Sequence, residues 1–193
     1  MGREQFIELW RHVSSMNVGP GPSQLYVHGT MGYGKSHILA ALTCLLQRLG
    51  KRVVYMPDCR QMLTDVVNYV KSALLCAFSE PSLSPIRNEI RHLTGPDDIL
   101  DFCRSLEGDP LYFIVDQINA LEQAEPNTDK VPNKEKQNVS SFLEKLYLSH
   151  LSITSSSANN RTAVYMAKKQ TGELKMQMMG GMSSVSLLHV CFV

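Results

Sequence analysis

Gly29-Thr30-Met31-Gly32-Tyr33-Gly34-Lys35-Ser36 fits the pattern G-x-x-x-x-G-K-[ST], and no other stretch narrows the possible folds as far. At average amino-acid usage, a given start position matches by chance about 4 times in 100,000. The flanks agree with the motif. An apolar run at 25–28 reads as a buried strand, and Ile38, Leu39, Leu42, Leu45, Leu46 and Leu49 follow at helical spacing. Glycines let consecutive backbone N–H groups turn inward, and the positive end of the helix points to the same place, so the loop is built to hold phosphate. Lys35 is placed to reach β- and γ-phosphates, and the Ser36 hydroxyl to ligate Mg²⁺. Gly29, Thr30, Met31, Gly32, Tyr33, Gly34, Lys35, Ser36 and His37 are therefore the candidate nucleotide contacts. For Tyr33 two readings stand, a cover over the nucleotide or a surface residue.

Such a loop needs an acidic residue at the end of another strand to complete the magnesium shell. The apolar run 111–115 followed by Asp116 supplies it, which makes Ser36 and Asp116 the candidate metal ligands. The next residue is Gln117, where many ATPases carry a Glu that activates the attacking water. An amide orients a water but cannot take its proton, so slow or partner-dependent hydrolysis is expected. A polar stretch, 155–160, follows the expected strand at 151–154. Asn159 or Asn160 could sense the γ-phosphate there, and a turn built on Asn chemistry is the competing reading. Arg161 offers a phosphate contact or a solvated surface charge. Lys35, Asp116, Gln117 and Asn159 form the candidate catalytic set. His28 reads as a packed strand-end histidine.

Across its 193 residues the chain is 44% apolar and 19% charged, enough to bury one ordinary core. The unalternating run at 111–115 and further strands at 25–28, 52–56 and 151–154 separate helical patterns at 3–13, 35–49, 86–93, 97–106 and 139–148. A further helix runs from an Asp58 cap towards Phe78. This alternation predicts a three-layer α/β/α sandwich with a mostly parallel sheet. Residues 1–22 read as a helix and Gly/Pro linker, 23–182 as the core, and 183–193 as a last strand or truncated tail. The segment 122–137 reads as an exposed loop or lid, and the methionines near 176–182 as an adaptable apolar surface or core filling. The net charge of +1 offers no clear nucleic-acid surface. No apolar run spans a membrane and the start lacks a secretory pattern, so a soluble, intracellular chain is expected. Five scattered cysteines without CxxC spacing predict reduced, mostly buried thiols rather than disulfides or zinc.

The strings 26–37, 50–60 (Gly50-Lys51-Arg52-Val53-Val54-Tyr55-Met56-Pro57-Asp58-Cys59-Arg60) and Tyr112-Phe113-Ile114-Val115-Asp116-Gln117 resemble the ATPase domain of Crinkler-type effector proteins of fungi and oomycetes. The resemblance runs from the N-terminal helix to about Gly181. It implies a P-loop ATPase of the AAA+/STAND branch that binds ATP and Mg²⁺ and works as a conformational switch, activated by a protein partner or by self-association. It also allows secretion into a host and nuclear action, although no targeting header, effector domain or C-terminal helical lid is read here. Gly34-Lys35-Ser36-His37-Ile38-Leu39-Ala40 also resembles helicase-loader-like AAA+ modules. A small-molecule kinase and a non-hydrolysing ATP-binding interaction module complete the alternatives.

Overall fold

Every paired residue of the sheet runs parallel to its neighbour. In the computed structural model residues 2–18, 23–29, 32–106, 110–121, 130–148, 150–156 and 174–178 are described. Five strands, β1 (Gln24–Gly29), β2 (Val53–Met56), β3 (Tyr112–Val115), β4 (Leu151–Ser155) and β5 (Leu174–Met178), stand in the order β2-β3-β4-β1-β5. The register pairs Val53 with Tyr112, Tyr112 with Leu151, Gln24 with Ser152, and Leu25 with Leu174.

Because side chains alternate across a strand, β2 and β3 feed two cores. Leu25, Val27, Val53, Ile114, Leu151, Ile153, Met176 and Met178 pack beneath α1 (Gly2–Ser14) and α2 (Lys35–Arg48). Val54, Met56, Phe113 and Val115 face the other way. They pack against α3 (Met62–Ala77), α4 (Ser84–His92), α5 (Pro96–Ser105) and α6 (Asn133–Tyr147). These are the three layers expected. No helix among the described residues is long and apolar enough to cross a membrane.

The local chemistry explains most boundaries. Asp58 caps the 3-10 turn Cys59–Gln61 by accepting from the Arg60 N–H at 3.0 Å. The helix that follows is not continuous: Asp65 takes extended angles and accepts from both the backbone and the side-chain amide of Asn68, at 3.0 and 2.6 Å. Asp65 is thus the cap of the main part of α3. Asp98 closes the start of α5 by accepting from the Thr94 and Gly95 N–H groups at 2.8 and 3.0 Å.

Three expectations are corrected. Residues 133–137 are helical, not loop: Pro132 opens α6, and its polar first turns stay exposed apart from the buried Lys136. Polarity there marks a solvated helix start rather than an absence of helix. Strand β5 was read only as methionine-rich core filling. Met176 and Met178 are indeed buried, but as the inward residues of an edge strand. The thiols divide evenly among the described residues, with Cys59 and Cys103 buried and Cys44 and Cys76 exposed. The candidate last strand in 183–193 and the segment 122–129 lie outside the described residues.

Candidate functional site

In an open parallel sheet the crevice for ligands lies beyond the carboxyl ends of the strands. β1, β3 and β4 end side by side at that edge, and each delivers a residue of the candidate site.

β1 ends in Gly29, whose φ is 144°. A Cβ there would lie 2.0 Å from the Met178 carbonyl oxygen of β5, so the strand can close against its neighbour only because this residue has no side chain. Gly34, with φ 79°, turns the chain through the left-handed region directly into α2. Its carbonyl accepts the first helical bond, from the Ile38 N–H at 3.0 Å. Lys35, the first residue of α2, is 3% exposed, and its Nζ donates to the Gly29 carbonyl at 3.0 Å. The lysine therefore folds back over the loop it terminates. Burial pushes its pKa below the ordinary lysine value, and the Asp116 charge opposes that shift. Ser36 is half-buried, while Gly32, Tyr33 and His37 are exposed. Thr30 and Met31 lie outside the described residues.

β3 delivers Asp116. Tyr112 and Ile114 face α2, so the alternation carries Asp116 to the same side as Lys35. Its backbone is tied on both sides, with N–H donating to the Met56 carbonyl at 2.9 Å and carbonyl accepting from Cys59 N–H at 3.1 Å. The side chain is fully buried. Oδ1 accepts from the Gln117 N–H at 2.8 Å and from the Ser155 hydroxyl. Oδ2 is buried and has no hydrogen-bond partner among the described residues. A buried carboxylate oxygen without a donor is strongly unfavourable unless a cation or ligand meets it. Oxygen donors also suit a hard cation such as Mg²⁺. The residues present fit that group.

Gln117 is half-buried and adopts φ 60°, in the left-handed region that side chains seldom occupy. Its N–H serves the Asp116 carboxylate. The carboxylate at the end of the neighbouring strand β2, Asp58, is already engaged: Oδ1 and Oδ2 accept from Arg60 Nε and an Arg60 terminal nitrogen at 2.8 Å each. Burial pushes the Asp58 pKa up, but the Arg60 bonds and charge outweigh it and hold it below the usual range. Asp58 is thus a poor proton acceptor.

β4 delivers Ser155, which the sequence pattern marks only as the start of a polar stretch. It closes the strand, and Leu151, Ile153 and Ser155 share the α2 face. The strand phase of the apolar residues was the signal that could have found it. The next residue, Ser156, is also tied in, its N–H donating to the Val27 carbonyl at 3.1 Å. Asn159, Asn160 and Arg161 lie outside the described residues. The structure thus brings together Lys35, Asp116, Gln117 and Ser155.

No protein-family model matches the chain, and no curated protein matches it. Among solved structures, its fold is similar to that of a DNA replication initiation factor (TM-score 0.51, 14% identity, covering 98% of this chain and 49% of that one). It is also similar to the Aeropyrum pernix ORC1 protein solved in complex with DNA (TM-score 0.56, 16% identity, covering 97% of this chain and 47% of that one). The chain spans about half the length of each. At such identities the likeness is one of fold. The chain shares the three-layer α/β fold of these two proteins, with an all-parallel sheet in the described residues.

Proposed function

We propose that this chain binds Mg²⁺–ATP in the loop between β1 and α2 and works as a conformational switch with slow or partner-dependent hydrolysis. The observation that carries the reading is the meeting of a buried lysine with a buried carboxylate that keeps one oxygen unpartnered, at the carboxyl edge of a parallel sheet. When bound, Mg²⁺ offsets charge on the phosphate oxygens. The chain's own groups do the rest. The N-terminus of α2 and the loop amides bind phosphate, and Lys35 exchanges its bond to the Gly29 carbonyl for a phosphate oxygen. Ser36 and Asp116 hold the metal. Gln117 orients water without taking its proton, and Asp58 is committed to Arg60. Hydrolysis is slow for want of a base. In the narrower reading, which the strings shared with Crinkler-type domains support, the switch belongs to an effector ATPase.

A helicase-loader-like or initiator-like role is the second reading, favoured by the fold similarity to a protein solved with DNA. Binding to single-stranded and duplex DNA with and without ATP tests it. The main reading is tested by ATP binding and single-turnover phosphate release with Mg²⁺, beside Lys35→Ala. Binding with slow release, both lost in the variant, is expected. Folded wild-type protein that binds no ATP would refute the proposal.

A further inference from the structure

We propose that Ser155, together with the main-chain N–H of Gln117, limits Asp116 to one metal-facing oxygen and so biases the site toward Mg²⁺ over Ca²⁺. The inference rests on the reading that Asp116 serves a nucleotide-bound divalent cation. A carboxylate oxygen accepts two hydrogen bonds through its two lone pairs. Asp116 Oδ1 takes one from Gln117, at 2.8 Å, and one from the Ser155 hydroxyl, so both lone pairs are committed. Oδ2 alone is left without a donor among the described residues.

The clamp is held from both sides. The Asp116 backbone is fixed to Met56 and Cys59, and the end of β4 is fixed by the bond from Ser156 to Val27. The Gln117 N–H belongs to the peptide that directly follows Asp116, so the fixed Asp116 backbone also fixes this donor beside the carboxylate. Neither donor can follow a carboxylate that rotates to present both oxygens. Ca²⁺ gathers six to eight oxygens and commonly takes a carboxylate through both, whereas Mg²⁺ holds a compact octahedron and takes them singly. A carboxylate reduced to one oxygen suits the smaller ion. Ser155 is a positioning residue in this scheme, acting through Asp116.

The test measures the affinity of a non-hydrolysable ATP analogue by calorimetry in Mg²⁺, in Ca²⁺ and in EDTA. Wild type is expected to bind more tightly in Mg²⁺ than in Ca²⁺. Ser155→Ala should shrink that preference about tenfold, the loss of one hydrogen bond to a charged oxygen. Its affinity in EDTA should stay at the wild-type value. Ser155→Thr, which keeps the hydroxyl, should restore the preference. An unchanged preference in Ser155→Ala, or an equal loss of affinity in all three conditions, overturns the inference. Should Ser155→Ala not fold, Ser155→Cys, a weaker donor, must show an intermediate preference, and a wild-type value overturns the proposal. Mg²⁺-dependent binding with no discrimination against Ca²⁺ in wild type overturns this inference alone. Binding that ignores metal altogether overturns the role of Asp116 as well.

Discussion

Replacing Gly29 with Ala isolates what the close approach of β1 to β5 contributes. The added Cβ would start 2.0 Å from the Met178 carbonyl oxygen, where a carbon-to-oxygen contact needs about 3.3 Å. The two strands must then separate by about 1.3 Å at that end. The obstacle is backbone, so no side-chain rotation relieves it. Opening the pair removes about one ladder hydrogen bond, near 1 kcal/mol. Holding an alanine at φ 144° adds about 1–3 kcal/mol. We expect a loss of about 3 kcal/mol, read as a fall of roughly 6–12 °C in melting temperature for a chain of this size. Gly50→Ala is the control. Gly50 also has a positive φ, 73°, but a Cβ there meets nothing within 4 Å. Its expected loss is only the backbone penalty of about 1–2 kcal/mol. Urea denaturation of both variants, with hydrogen exchange across residues 174–178, separates clash from backbone strain. If the two variants lose equal stability and exchange at 174–178 stays slow in Gly29→Ala, the reasoning about this contact is wrong.

Gln117→Glu places a carboxylate where the amide stands and should raise single-turnover phosphate release by about 10²-fold or more, the usual return on a general base; quench-flow would show it, and an unchanged rate means base strength is not limiting. His150 is buried, accepts from the Leu111 N–H at 3.4 Å and contacts the Cys103 carbonyl at 3.2 Å through Nε2, so the neutral ring fits and burial lowers its pKa. Its contribution to stability is complete above the unfolded-state pKa of about 6.5 and is lost as pH falls below it. Urea midpoints between pH 7.5 and 5 should fall in wild type and flatten in His150→Asn. Burial pushes the Cys59 and Cys103 thiols up to about 12. In a Cys191→Ser background a thiol reagent should therefore label Cys44 and Cys76 quickly and the buried pair only on unfolding.

The layers of the fold were legible because β2 and β3 are apolar on both faces, a pattern that covered strands carry. Lys35 and Asp116 were legible because the roles proposed for them tie them to a fixed spacing and to a strand end. Ser155 was not, since one serine in a run of serines carries no spacing of its own. Only its phase with Leu151 and Ile153 points it toward Asp116. β5 was hidden by composition: Lys175 and Gln177 between Leu174, Met176 and Met178 alternate correctly, but methionine is a weak strand signal. The bend at Asp65 was hidden because its side chain stands in for a helical bond, and a helical hydrophobic pattern continues across it. The left-handed turn at Gln117 was also out of reach, as glutamine does not advertise it.

The sheet order has a kinetic consequence. β2 and β3 are neighbours, and the helices α3, α4 and α5 that pack on them lie between them in the chain, so that half can organise from nearby residues alone. β1 is different. Both strands that flank it, β4 and β5, are synthesised long after it, and Gln24–Gly29 waits unpaired until Leu151–Ser155 and Leu174–Met178 emerge. Pairings of such long range form slowly, because the intervening chain must first be closed into a loop. The segment that carries the phosphate loop is thus among the first made and the last locked. A nascent or unfolding chain should lose the proposed nucleotide site while the β2–β3 half still stands.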